Sequence, residues 1–273
     1  FLLRRDRPVK YSKVTSCTRC GGRRLRIMAL LRALCGRAGL ASTLLAVSSA
    51  KTSSAAMISK PADIKLYYFD FPFWRAEVVR LGLFVGGVPF EDVRDQKASD
   101  LKASGKLTFG AMPVLEVDGK MLSQTQAMAS YVAKLAGIQP EDPWDVAKVD
   151  ECINGCTDVT TTVGATFRLP DDEKVQARLA MIADDGRLAM HLGGLEKLLC
   201  ENGSCGYAVG ESLTVADLAI WRLAGWLSSG ALDGIPNDYV SSTFPAMSKL
   251  VATVDAHPKV VEWKAMHPKG YPA

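Results

Sequence analysis

Seven cysteines, three histidines and seven tyrosines are the side chains of this 273-residue chain with the widest chemical repertoire. The spacing of the first two kinds excludes more than it offers. Cys17 and Cys20 form a CxxC pair, but it lies in an arginine-rich segment without the second pair that a zinc site needs. Cys152, Cys156, Cys200 and Cys205 follow no disulfide-like pattern and read as small apolar residues in helices or near their ends. His191, His257 and His267 cluster with neither cysteines nor carboxylates, so metal catalysis is not expected. The informative groups lie within residues 65–136: the adjacent Tyr67 and Tyr68, an isolated Met112-Pro113, and Gln124-Thr125 at a helix start. A helix N-terminus presents unpaired N–H groups and partial positive charge, which suits a carboxylate. As isolated residues, Gln124 and Thr125 are also ordinary caps.

The elements that would position these groups follow from periodicity. Residues 64–69 alternate as a strand that Pro72 ends. Ala76, Val79 and Leu83 mark a helix over 76–85, stopped by Gly86-Gly87, and residues 89–93 read as a second strand. That order favours a parallel pair with a right-handed crossover. After a polar loop over 97–106, PVLEV forms a third strand, Asp118-Gly119 a two-residue hairpin turn, and 120–123 its return strand. A helix then runs from Thr125 to Leu135 and stops at Gly137. Residues 138–144 form a linker with two prolines. Helices are expected at 145–167, 171–200, 214–229, 245–255 and 258–266. Thr214 and Asp217 make a capping box, with Leu213 stapled onto Leu218 and Trp221 and Trp226 packed nearby. The fold class is thus an α/β N-terminal thioredoxin-like domain over 61–137, followed by an all-α helical domain over 145–273.

Charge is divided along the chain. Residues 1–60 hold 13 of the 33 basic side chains and a single acid, Asp6; the remainder carries 20 basic against 28 acidic groups. An acidic body without a basic face gives no support for nucleic-acid binding. The run that opens at Met28 sets Arg32 and Arg37 among leucines and alanines, as in an organellar transit peptide. Its STLLAVSSA portion could also serve as a secretory h-region, and is too short for a membrane span. Met28 and Met57 are alternative starts. Residues 1–60 are therefore expected to be a disordered targeting leader. A plastid or mitochondrion is the expected destination if the leader acts, and the cytoplasm otherwise.

Tyr68-Phe69, RAE at 75–77, MPVLEVDG at 112–119, SQTQA at 123–127 and SLTVADLAIW at 212–221 together resemble the cytosolic glutathione transferases. The likeness is nearest to the sigma class with a tyrosine and spans roughly residues 64–268. It implies a homodimer that takes glutathione as substrate, without cofactor or metal. The thiol would be activated as a thiolate for conjugation to small hydrophobic electrophiles. A glutathione-dependent isomerase or peroxidase on the same site, and a catalytically silent binding protein, are the alternatives.

Residue by residue, the resemblance makes Tyr68 catalytic. An ordinary thiol has a pKa near about 8.5, and a phenol that donates to sulfur stabilises the thiolate. Such a charge-assisted bond is worth roughly 1.5–3 kcal/mol, or about one to two pKa units. Tyr67 is the competitor, but strand alternation places the two rings on opposite faces. The resemblance further implies a cis Met112-Pro113 peptide, with the Met112 backbone pairing with the cysteinyl unit of glutathione. Gln124 and Thr125, with Gln126 as a weaker candidate, would hold the γ-glutamyl carboxylate. Asp158 would reach the amino group of glutathione in the partner subunit.

This chain departs from the pattern at three places. The turn DFPFWRAE is one residue longer than usual, with Trp74 where a glycine stands. Within it Arg75 matches the arginine that supports the loop and the tyrosine, and the slot for a cysteine or serine nucleophile holds Phe71. The tryptophan and lysine expected to hold the glycyl carboxylate fall on Asp100 and Ser104, leaving Lys106 as the candidate and Lys102 as its alternative. Finally, the second-substrate site is expected between the Tyr68 loop and the part of the first C-terminal helix that carries Thr161–Arg168. Thr, Val, Gly and Ala stand there in place of the usual aromatics, so no electrophile pocket can be named.

Overall fold

The computed structural model describes residues 61–271, and the leader expected over 1–60 lies outside them. Four strands, β1 (Ile64–Tyr67), β2 (Glu91–Val93), β3 (Val114–Val117) and β4 (Lys120–Ser123), form one sheet in the order β2-β1-β3-β4. β1 runs parallel to β2 and antiparallel to β3, and β3 and β4 form the hairpin. Its turn needs two left-handed residues, and Asp118 (φ 48°) and Gly119 (φ 77°) supply them. Three helices complete this half: α1 (Trp74–Val85), α2 (Ala98–Ala103) and α3 (Thr125–Ala136). The helical half holds α4 (Pro143–Gly164), α5 (Asp171–Ile182), α6 (Arg187–Glu201), α7 (Val215–Leu227), α8 (Tyr239–Thr243), α9 (Pro245–Asp255) and α10 (Pro258–Met266). A short 3₁₀ turn, Pro268–Gly270, follows.

Why α1 is buried on almost every side follows from its neighbours: the sheet, α3 and α7 all pack on it. Its approach to α3 requires small residues. A Cβ on Gly82 would come within 2.6 Å of Val132 Cγ1, and one on Gly86 within 2.4 Å of Ala136 Cβ. Leu66, Val79, Leu115, Val132, Val159, Ile220 and Leu250 belong to a single core that crosses from one half to the other. The Trp74 indole fastens the two as well, donating to Thr160 Oγ1 at 2.7 Å.

Three expectations are corrected. β1 ends at Tyr67 rather than Phe69, because the chain turns away once the Tyr68 amide has bonded Val93 O at 3.2 Å. The polar loop over 97–106 contains α2, which buries only Leu101 and is too short to betray a period. The single helix expected over 171–200 is two helices. They are separated at Gly186, where a Cβ would lie 2.2 Å from the Met181 carbonyl oxygen, so only glycine lets the chain reverse there.

The expected capping box is present and extended. Asp217 accepts from Thr214 N (2.6 Å), Thr214 Oγ1 (2.8 Å) and Ala208 N (2.6 Å), tying α7 to the preceding loop. Burial pushes its carboxyl up to about 6, against those three hydrogen bonds. Asp217→Ala should cost about 3 kcal/mol in urea unfolding, since three buried donors lose their acceptor. A raised folded-state value makes this group's contribution complete below about pH 4, and lost as pH rises through about 6. The deficit of the variant should therefore be largest near pH 4 and narrow towards neutrality.

Candidate active site

Tyr68 follows the last residue of β1 and is buried, its ring set among Phe69 (centroids 5.2 Å apart) and Phe71 (5.4 Å). Among the described residues its hydroxyl has no hydrogen-bond partner. Burial pushes the phenol up to about 12, while the nearby Arg75 and Arg80 guanidiniums oppose the rise. The group is thus protonated at neutral pH and free to donate. Tyr67 is placed differently: its hydroxyl donates to Glu116 Oε2 at 2.7 Å, and Lys106 Nζ reaches both. Alternation separates the two phenols as expected, one unpartnered and one already in use.

The loop after Tyr68 is fixed by Arg80, which is fully buried. Its Nη2 donates to Phe69 O (3.2 Å) and Nη1 to Phe71 O (3.3 Å), while Glu77 Oε1 (2.7 Å) and Asp92 Oδ1 (3.1 Å) balance the charge. Arg75 does not hold this loop. It lines the adjacent cleft, where burial lowers its pKa and proximity to Tyr68 opposes the shift. Loop support therefore passes from the expected Arg75 to Arg80, a residue not singled out in the sequence.

That cleft, of about 80 Å³, is lined by Arg75, Phe109, Ala111, Met112, Pro113, Ser123, Gln124 and Thr125. The Met112-Pro113 peptide is cis, as expected. Gln124 is the N-cap of α3, yet its side chain makes no capping hydrogen bond and its φ is 73°. The first amides of α3 thus face the cleft without a side-chain cap, the arrangement that suits a carboxylate. Ser123 belongs to the same lining, and among the described residues its buried Oγ has no partner.

Other expected groups stand apart. Gln126 turns to Ser130 and Asp150 instead of the cleft. Lys106 is held by Glu116 at 2.7 Å and by Tyr67, so its charge is already matched. Lys102 is exposed on α2. Asp158 projects exposed from α4. A larger cleft, of about 410 Å³, runs between Val85, Ile138, Leu213 and His257 and contains none of the expected site residues.

Sequence reasoning missed an aromatic line that leads away from Tyr68. Phe69 and Phe71 stack at 5.9 Å, Phe71 meets Phe73 at 6.0 Å, and Phe73 meets Trp226 edge-on at 5.2 Å. Phe167, just past α4, approaches Trp226 at 6.5 Å. Phe69, Phe71 and Phe167 remain about half exposed, at 47%, 45% and 53%. The phenylalanine spacing in FDFPFW carried the signal; the contribution of Phe167 needed the fold.

Residues 64–134 match the family described as glutathione S-transferase, N-terminal domain, and residues 157–267 match its C-terminal domain. A glutathione S-transferase 1 from Ascaris suum is 35% identical over 212 residues, covering 75% of this chain and 97% of that protein. Among solved structures, a monomeric glutathione S-transferase from the hookworm Necator americanus superposes with a TM-score of 0.61 at 29% identity, covering 76% of this chain and 98% of that one. The structure titled prostaglandin synthase D of Nilaparvata lugens superposes at 0.63 and 25% identity, covering 76% and 98%. A thioredoxin-like half bearing a cis-proline cleft and an all-α half define the glutathione transferase fold. This chain belongs to the glutathione S-transferase family.

Two lysines on either side of α2's end separate the alternatives for the glycyl carboxylate. Lys106→Met should leave the Kd for glutathione within about twofold, because that ammonium already serves Glu116. Lys102, exposed on α2 and in no ion pair among the described residues, is the remaining alternative, and Lys102→Met should weaken binding about three- to tenfold if it takes that carboxylate. Calorimetric titration of both variants tests the pair, and a reversed ranking would restore Lys106.

Proposed function

We propose that this protein is a glutathione transferase, of the tyrosine type and nearest the sigma class, that converts bound glutathione to its thiolate for attack on hydrophobic electrophiles. The observation that carries the reading is the unpartnered Tyr68 hydroxyl within the field of Arg75, which lines a cis-proline cleft at an uncapped helix start. Glutathione would lie with its cysteinyl backbone against Met112 and Pro113 and its γ-glutamyl carboxylate at Gln124 and Thr125. Its sulfur would then face Tyr68, with Arg75 adding positive potential. Glutathione serves as substrate, and no cofactor is required. The second substrate would rest along Phe69, Phe71, Phe73, Trp226 and Phe167, apolar surface next to the sulfur.

A homodimer is the proposed assembly. Asp158 is exposed and outside the cleft of its own chain, and Phe109 beside the cleft is 65% exposed, an apolar ring that a partner surface would cover. The change from a basic 1–60 to an acidic remainder supports a targeting leader for a plastid or mitochondrion, with a cytoplasmic enzyme if it does not act. Among the described residues no helix is long and apolar enough to cross a membrane. A glutathione-dependent isomerase on the same thiolate is the second reading, favoured by the likeness to the structure titled prostaglandin synthase D.

Initial rates of the full chain with glutathione and a panel of aryl halides, enals, hydroperoxides and isomerisable endoperoxides test the activity. Conjugation of aryl halides or enals should dominate. Glutathione binding without turnover on any of them would favour the silent binder. Asp158→Ala should weaken glutathione binding about three- to tenfold in the dimer while the bound thiol pKa stays put. A fully active monomer in sedimentation would contradict the shared site.

A further inference from the structure

The loop between Tyr68 and α1 carries one residue more than its family pattern, yet its carbonyls are gripped from both halves of the molecule. Arg80 of α1 takes Phe69 O and Phe71 O. The next carbonyl, Pro72 O, accepts from Arg222 Nε of α7 at 2.6 Å, 150 residues along the chain. Arg222 is in turn braced by the C-terminal segment. Its guanidinium lies 4.9 Å over the Tyr271 ring, which stacks on Trp221 with centroids 5.7 Å apart and planes 13° from parallel. The Tyr271 hydroxyl donates to Glu77 Oε2 and accepts from Trp263 Nε1 at 3.3 Å. Glu77 is the carboxylate that pairs with Arg80. One position earlier, Gly270 passes so close to Pro72 that a Cβ would lie 3.2 Å from Pro72 Cγ.

We infer that Arg222 is a positioning residue for Tyr68, acting through the loop over 69–73 and braced by Tyr271 and the Pro268–Gly270 turn. The inference rests on the reading of Tyr68 as the thiol's hydrogen-bond donor. A lengthened loop has more conformations to lose. Here two arginines, joined through Glu77 and Tyr271, hold three of the four carbonyls that follow the tyrosine. An arginine present only to neutralise acids would use its donors on carboxylates. The hydrogen bond of Arg222 goes to a neutral loop carbonyl, and Glu77 and Asp255 act on it only through their fields. Losing that grip lets the loop swing and misaims the phenol by fractions of an ångström, enough to weaken a short directional bond to sulfur. The glutathione contacts proposed at Met112, Gln124 and Thr125 come from other segments of the chain and should be untouched.

The test is kcat against pH at saturating glutathione, with KM for glutathione measured alongside, in the full chain and its variants. Arg222→Met keeps much of the apolar contact and removes the donor. It should move the acidic limb of the profile up by about one pH unit, with turnover near pH 6.5 reduced about five- to tenfold and recovered at high pH. KM should stay within about twofold. Arg222→Lys should restore at least half of the displacement, and Tyr271→Phe should move the limb the same way by less. Tyr68→Phe fixes the scale. If it moves the limb while Arg222→Met lowers turnover equally at every pH, or leaves it unchanged, the positioning role is overturned and the tyrosine's role stands. If Tyr68→Phe itself leaves the limb in place, the underlying reading fails, and the inference with it. Should Arg222→Met fail to fold, wild-type limbs in both Arg222→Lys and Tyr271→Phe overturn the inference.

Discussion

A guanidinium with no exposed surface, that of Arg80, sets the terms for the site. Taking such a charge out of water costs several kcal/mol unless its donors are all met. Here four of its five N–H donors are met, by two carboxylates, Glu77 and Asp92, and by the Phe69 and Phe71 carbonyls. Because the donors of Arg80 lie in one plane, the two carbonyls have little freedom, and the loop after Tyr68 is drawn into the shape the fork dictates. Glu77 is pushed up by its own burial and held by Arg80 against it. Removing Arg80 would leave the buried Glu77 without its ion-pair partner, whereas removing Glu77 would leave Arg80 with Asp92 alone.

From that constraint the site assembles with few further parts. β1 carries Tyr68 to the edge of the shared core, and the loop turns Phe69 and Phe71 outward, where they remain half exposed. The cis Met112-Pro113 and the start of α3 form the cleft that Arg75 also lines. A single core running through both halves makes α7 able to act on a loop of the first half, so loop, cleft and helical platform are held as one body. The proposed chemistry then asks little of the protein: a protonated phenol, a positive neighbour and apolar surface next to the sulfur.

What could be read in the sequence was local, and what could not was contact across distance. Asp118-Gly119 needs only its own backbone to turn, and the Thr214–Asp217 box needs four residues. The proline cleft and the helix start at Gln124 were legible because their motifs are contiguous. Lys102 and Lys106 look alike in a polar loop; only the position of Glu116 on the neighbouring strand decides which one is occupied. The division at Gly186 depends on a Met181 carbonyl that folds back against it. Arg80 and Arg222 were ordinary helix cations until the loop carbonyls were placed beside them. The proposed second-substrate surface escaped because its aromatics come from 69–73, 167 and 226 instead of one helix.

The most direct test of this account is the thiolate absorbance of bound glutathione as a function of pH in the wild type, Tyr68→Phe and Tyr67→Phe. The account predicts that loss of the Tyr68 oxygen raises the bound thiol's pKa by about one to two units. Tyr67→Phe should leave it unchanged, because that phenol already serves Glu116. Superimposable titration curves for all three proteins would show that neither phenol activates the thiol and would contradict the account at its centre.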